Sequence, residues 1–376
     1  MSIIIGADFV PTDKNLPFFK DENVLNLFDD KLSNIVSKAD YRIFNLETPL
    51  SDTLSPISKC GPALSAPIYC VCGFSKMNVD LFTLANNHIM DQGVDGLRST
   101  ISALRKNNIS YVGAGENLSE AKKAHIFSCN GKTVGVYACA EHEFSIAMEN
   151  VPGANPFNPL ESLEHIESLK TQSDYVIVLY HGGKEYYRYP SPELQRVCRK
   201  IVEKGADLVI CQHSHCIGCE ENYQNGKIVY GQGNFLFDLS ENEFWANGLL
   251  IELDDNLQVI YHPIIKNGEK VRLASPSEAN QILEAFGNRS NEILDEAFVV
   301  SKYRNLADEK INHYILLMLG LKYNFLFRAV NKLSGYRLEQ YLIRRKYLPK
   351  KREVLINMLE CEAHRELILQ GLKNDM

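Results

Sequence analysis

Residues 205–215 read Gly205-Ala206-Asp207-Leu208-Val209-Ile210-Cys211-Gln212-His213-Ser214-His215. Leu208–Cys211 is a short continuous apolar run, the pattern of a strand buried on both faces of a parallel sheet. It ends in two imidazoles. The preceding segment predicts a helix. Ser191 is suited to the N-cap and Pro192 to the first helical position. Leu194, Val197, Ile201 and Val202 form an apolar stripe, and Gly205 can close the C-terminus. A helix feeding a buried strand is the repeating unit of an α/β fold. In such folds, sites form beyond the carboxyl ends of the strands.

The same grammar recurs toward the N-terminus. Tyr175–Tyr180 predicts a buried strand leading to His181, with Gly182-Gly183 behind it. Val79–Ala85 leads to Asn87 and His88, Tyr41–Leu46 to Glu47, and Ser2–Ile5 to Asp8. Ala124–Ser128 and Thr133–Ala138 flank Asn130-Gly131, a strong hairpin signal. Lys227–Tyr230, Gly248–Leu253 and Leu257–Pro263 add β structure, with a turn at Asp254–Asn256. Leu97, Ile101 and Leu104 recur as a core-facing helical stripe.

Five strand ends therefore carry Asp, Glu, Asn, His and His-x-His. Imidazoles and carboxylates suit Zn, Fe or Mn, and a carboxylate can bridge two ions. Two cations about 3.5–4 Å apart can clamp an in-line phosphoryl displacement. Each residue also has an ordinary structural use: a hydrogen-bonded His at a strand end, Glu47 opening a turn before Pro49, Asn86-Asn87 in a turn, Asp8 as a cap. The joint pattern is what points to metal.

Composition bounds the rest. The 376 residues are 45% hydrophobic and 23% charged with a net charge of −7, which is globular and disfavours nucleic acid as a partner. No apolar run reaches the roughly 18 residues of a membrane span, and Met1–Asp8 lacks a basic secretory leader. A cytoplasmic protein is expected, so its ten Cys are expected to be reduced thiols; Cys211, Cys216 and Cys219, with Cys60, Cys70 and Cys72 as a candidate second half, are read as buried thiols and Cys216-Ile217-Gly218-Cys219 not as a zinc module. Residues 291–376 hold 15 Lys and Arg against 11 Asp and Glu in a helical pattern. The expected domains are 1–290 and a helical appendage, 291–376. Basic residues flank Tyr347-Leu348-Pro349, a solvated face or a contact for an anionic membrane.

Asn45-Leu46-Glu47-Thr48-Pro49, Ala85–Gly93, Gly113-Ala114-Gly115, His181–Glu185, residues 205–215 and Gly231-Gln232-Gly233-Asn234-Phe235 resemble, in order over roughly residues 3–262, the CapA family. These are bacterial capsule or poly-γ-glutamate synthesis proteins, similar to calcineurin-like metallophosphoesterases. The resemblance implies a four-layer α/β/β/α metallophosphoesterase-like sandwich. It implies a metal-dependent, phosphoesterase-like hydrolase of capsule or exopolymer synthesis. The alternative is a non-catalytic accessory component of polymer synthesis or export, with a vestigial or polymer-binding site. By the same resemblance Asp8 binds a first divalent ion with His215, Glu47 bridges, and Asn87, His181 and His213 bind a second. His88 stands beside the phosphate as acid or transition-state stabiliser, oriented by Asp91. An anionic polymer or phosphoester is the implied substrate, and a membrane-bound synthesis component the implied partner. The chain departs from the phosphoesterase pattern at three points. Val10 stands where the usual Asp-x-His has its His, Glu47 where an Asp is usual, and Gly6-Ala7-Asp8 replaces the usual Gly-Asp. The first metal site is thus expected to be weak or empty.

Overall fold

The computed structural model describes residues 2–20, 23–238, 242–346 and 349–373. By packing, the chain divides into two compact units, Met1–Val300 and Ser301–Met376.

The strands of the first unit begin with β1 (Ile3–Phe9), β2 (Tyr41–Leu46), β3 (Leu81–Thr83), β4 (Ser110–Val112) and β5 (Ala114–Gly115). They continue with β6 (His125–Cys129), β7 (Lys132–Ala140), β8 (Gly153–Ala154), β9 (Tyr175–His181), β10 (Leu208–Gln212) and β11 (Glu220–Tyr223). The last are β12 (Gly226–Tyr230), β13 (Asn234–Leu236), β14 (Asn247–Leu253), β15 (Val259–Asn267) and β16 (Lys270–Leu273). One sheet has the order β16-β15-β14-β1-β2-β3-β4, with β13 also paired to β1; the second runs β11-β12-β10-β9-β7-β6, and β5 pairs with β8 in a small third sheet. β1 to β4 are mutually parallel, as are β7, β9, β10 and β12.

Side-chain alternation along these strands makes the layers. Ile3 and Ile5 of β1 join Val136, Leu179 and Ile210 of the second sheet in one core between the sheets. Ile4, Ala7 and Phe9 face the other way, onto Leu97, Ile101 and Leu104 of the helix Gly93–Lys106. Val178 and Val209 of the second sheet turn outward onto Ile166, Leu194 and Ile201 of two further helices. The result is helices, sheet, sheet, helices, as expected. It explains why the central strands read as unbroken apolar runs: both of their faces are covered. Local signals hold too. The Ser191 side chain accepts from Leu194 N at 3.0 Å, and Asn130 and Gly131 both take positive φ, 47° and 78°, in the β6–β7 hairpin. Ile293 and Val299 are buried in the outer core of the second sheet, so the first unit takes in residues 291–300.

β1 is longer than the run Ser2–Ile5 suggests and includes Asp8. Its register with β2 shifts between Ile5 and Asp8, so that Asp8 lies opposite both Asn45 of β2 and Asn234 of β13. Such a bulge re-aims a side chain. Gly6 permits it: a Cβ there would stand 2.1 Å from the Phe44 ring. Gly6→Ala is expected to destabilise the fold by about 1–3 kcal/mol, read from a denaturant midpoint.

All ten cysteines are free. Cys216 and Cys219 are buried as expected, but Cys60 and Cys72 are exposed, since they lie on a surface loop and the outer face of a short helix. In the second unit, described residues form helices, with a small core of Ile315, Leu316 and Ile343. No helix among the described residues is long and apolar enough to cross a membrane. The centre of the basic cluster, 347–348, and the side chains of 344–349 lie outside the described residues.

Candidate metal centre

The carboxyl ends of β1, β2, β9 and β10 meet, with the loop after β3. Asp8 of β1 is fully buried; its Oδ1 accepts from Asn45 Nδ2 at 2.8 Å, and its Oδ2 is 3.5 Å from His215 Nδ1. Glu47, directly after β2, is also fully buried, with Oε1 3.2 Å from His181 Nε2. Asn87 Oδ1 lies 2.9 Å from the same His181 nitrogen. His181 and His213 rings stand 4.9 Å apart between centroids. Asn87, Glu141, Glu143, His181 and His213 line a shallow depression here.

His213 and His215 share an unusual backbone. Both have positive φ, 84° and 54°, although neither is glycine. Such geometry costs on the order of 1–3 kcal/mol per residue and clusters at functional sites. His215 is held by Asn234 Oδ1, 2.9 Å from its Nδ1, and packs on Trp245 with ring centroids 4.8 Å apart.

Two groups of donor atoms emerge, Asp8–Glu47–His215 and Glu47–His181–His213, the atoms within each lying within 4.8 Å of one another. Glu47 belongs to both. The residues fit metal on a second count as well. Asp8 Oδ2, both Glu47 oxygens and His213 Nδ1 are buried without a hydrogen-bond partner. Buried polar atoms are normally satisfied, so unpartnered atoms on Asp8, Glu47 and His213, members of these two groups, fit cations that the groups would hold. The donor set, imidazole and carboxylate, suits Zn, Fe or Mn.

Without a cation, the buried carboxylates pair with two of the imidazoles. Burial pushes the Asp8 carboxyl up, but His215 and His181 outweigh it and hold it below the usual range. Burial depresses His181 and His215; Glu47 raises the first on balance, and Asp8 with Glu47 raises the second to about 9. His213 is pushed well below the usual value by burial and by the neighbouring imidazoles, which leaves it neutral, as a metal ligand must be.

His88 and Asp91 sit on the loop that carries Asn87. His88 Nδ1 is 2.5 Å from Asp91 Oδ2. A residue that pattern reading missed completes this pair. Lys59 reaches in from the loop between β2 and β3, its side chain only 3% exposed, and places Nζ 2.5 Å from Asp91 Oδ1 and 3.2 Å from His88 Nδ1. Nothing periodic marks Lys59. Asn45 was missed as well, although it lies inside a quoted motif. It donates to Asp8, lies 3.3 Å from His181 Nδ1, and accepts from Thr83 and Asn86. Lys59→Met leaves Asp91 with His88 and Leu64 N as partners. It is expected to cost about 2 kcal/mol by chemical denaturation, with Lys59→Arg recovering part.

Val10, two residues beyond Asp8, packs with Leu64, Phe237 and Trp245 in a small apolar cluster. Cys216 and Cys219 belong to neither donor group among the described residues. The double replacement Cys216→Ser with Cys219→Ser is expected to leave the bound-metal stoichiometry unchanged by elemental analysis.

Residues 14–239 match the family model described as bacterial capsule synthesis protein PGA_cap. The chain is 34% identical over 251 residues to the capsule biosynthesis protein CapA of Bacillus anthracis, covering 64% of this chain and 59% of that protein. It is 34% identical over 195 residues to the PGA biosynthesis protein CapA of Bacillus subtilis, covering 51% and 49%. The chain thus spans about half to three-fifths of the length of these relatives. Solved structures similar to it include a novel phosphatase of Mycoplasma pneumoniae, with TM-score 0.45 and 15% identity over 75% of this chain and 96% of that one. Another is a 5′-nucleotidase of Candida albicans, with TM-score 0.41 and 13% identity over 82% and 58%.

Proposed function

The chain belongs to the bacterial capsule synthesis protein family PGA_cap, and on that premise we propose that it is a metal-dependent, phosphoesterase-like hydrolase acting in capsule or poly-γ-glutamate synthesis. The observation that carries this reading is Glu47: fully buried, shared by two donor groups, with neither oxygen hydrogen-bonded. Asp8, Glu47 and His215 would hold one divalent cation, and Glu47, His181, His213 and Asn87 the second. Bound there, the cations would supply Lewis-acid stabilisation of a phosphoryl group and lower the pKa of a water.

The chain's own residues supply the rest. Asp91 fixes the His88 ring by accepting from its Nδ1–H, and Lys59 holds Asp91 in turn, which leaves Nε2 as the nitrogen that faces a substrate oxygen. Asn45 fixes Asp8 while bonded to Thr83 and Asn86, so the carboxylate is aimed before any ligand arrives. Asn234 does the same for His215.

The second reading, an accessory component without turnover, is favoured by one feature. Beside Asp8 the apolar cluster of Val10, Leu64, Phe237 and Trp245 occupies the side from which a further imidazole would come. Elemental analysis of the purified protein, paired with assays on p-nitrophenyl phosphate and bis(p-nitrophenyl) phosphate, separates the two. Bound metal with ester cleavage supports the hydrolase. Bound metal with no cleavage after reconstitution with Mn, Fe or Zn supports the accessory role. No metal under any of these conditions overturns the metal centre and the hydrolase and leaves the accessory role.

A further inference from the structure

The second unit carries a helix, Phe325–Leu333, with an apolar face open to water. At about 100° per residue, Phe325, Leu333, Leu326 and Val330 fall within one arc of roughly 140°. They are 78%, 87%, 74% and 50% exposed. Arg328 and Lys332 border this arc, and the helix holds no acid. The opposite face is anchored. Phe327 packs against the small core of Ile315, Leu316 and Ile343, and Asn331 bonds Glu339 through both its side-chain atoms, at 2.9 and 3.0 Å. The exposed face is therefore held outward by its own unit.

Charge says what covers it. Residues 301–376 carry 15 Lys and Arg against 8 Asp and Glu, a net of +7, while residues 1–300 carry −14. A second copy seated helix on helix about a twofold axis would bring Arg328 and Lys332 near their own equivalents, with no acid on the helix to pair them. A carboxylate polymer would pair the bases and leave Phe325, Leu326 and Leu333 in water. A bilayer surface with acidic headgroups satisfies both halves of the face: apolar side chains enter the acyl boundary and bases meet the lipid phosphates.

We propose that the helix Phe325–Leu333 is an interfacial anchor, seating its Phe325–Leu326–Val330–Leu333 face on an acidic lipid surface with Arg328 and Lys332 at headgroup level. The proposal goes beyond the metal centre and stands without it.

The test is sedimentation of the full chain with vesicles of phosphatidylcholine alone or with one part in four phosphatidylglycerol. The wild type is expected to pellet with the acidic vesicles and to be released by salt. Leu326→Glu with Leu333→Glu is expected to lower the partition coefficient by about tenfold or more. Arg328→Gln with Lys332→Gln is expected to lower it about tenfold on acidic vesicles only. All four side chains are largely exposed, and unchanged far-UV circular dichroism serves as the folding control. Wild type remaining in the supernatant with acidic vesicles at low salt overturns the proposal, as does a Leu326→Glu, Leu333→Glu protein that still pellets. A concentration-dependent dimer that the same pair abolishes, with no vesicle binding, would assign the face to a second copy instead.

Discussion

Glu47→Gln is expected to lose both cations together. Replacement of a group that only orients a metal ligand typically costs roughly 10–100-fold in metal affinity, and removal of a shared ligand should cost at least the upper part of that range for each ion. Replacing Asp8 or His215 should empty one group, and replacing His181 or His213 the other, with the remaining ion retained more weakly. The stability readout is independent of any activity. In metal-free protein Glu47 Oε1 stands 3.2 Å from His181 Nε2, so a neutral amide of nearly the same shape loses that ion pair and is expected to lower the melting temperature modestly. With metal added, the wild type should gain stability by mass action and Glu47→Gln should not. If Glu47→Gln melts well below wild type without metal and still binds two equivalents, Glu47 is a structural carboxylate and the centre has been misassigned.

His88→Ala should do the reverse. It is expected to keep the metal stoichiometry, because His88 belongs to neither donor group. Ester cleavage should fall by roughly 10²–10⁴-fold, the usual worth of a positioned acid or base. Asp91→Asn should act more mildly on turnover, since Lys59 and the backbone still hold the loop. The loop makes a clean comparison possible: Ile57 N donates to Asp91 O at 3.0 Å through the main chain, which side-chain replacement does not remove. A His88→Ala protein that cleaves at the wild-type rate would exclude His88 from the chemistry. Loss of metal in that variant would place it among the ligands.

Much of the fold was legible because its causes are local. Apolar runs such as Val176–Tyr180 and Leu208–Cys211 are strands buried on both faces, and the runs themselves say so. Ser191, Pro192 and Gly205 mark the ends of one helix through caps and φ that depend on neighbours in sequence. Which residues end the strands was legible too, since chain order alone sets Asp8, Glu47, His181 and the His213/His215 pair at the same kind of position.

Other features belong to the tertiary structure. β1 runs through Asp8 with a bulge, because Gly6 lets Phe44 pass where a Cβ would stand. Lys59 reaches Asp91 across 32 residues of chain, and Asn45 reaches His181 across 136. Neither distance leaves a trace in a window of sequence. The positive φ at His213 and His215 is likewise a conformation that no local preference favours; at His215, packing on Trp245 and the bond to Asn234 hold the side chain in place. The sequence by itself determined the central buried strands, the helices Gly93–Lys106 and Pro192–Glu203 and the kinds of donor at the strand ends, since these follow from periodicity and caps. Only the tertiary structure decided that those donors form two groups sharing one carboxylate, because that depends on side-chain distances across strands that are remote in the chain.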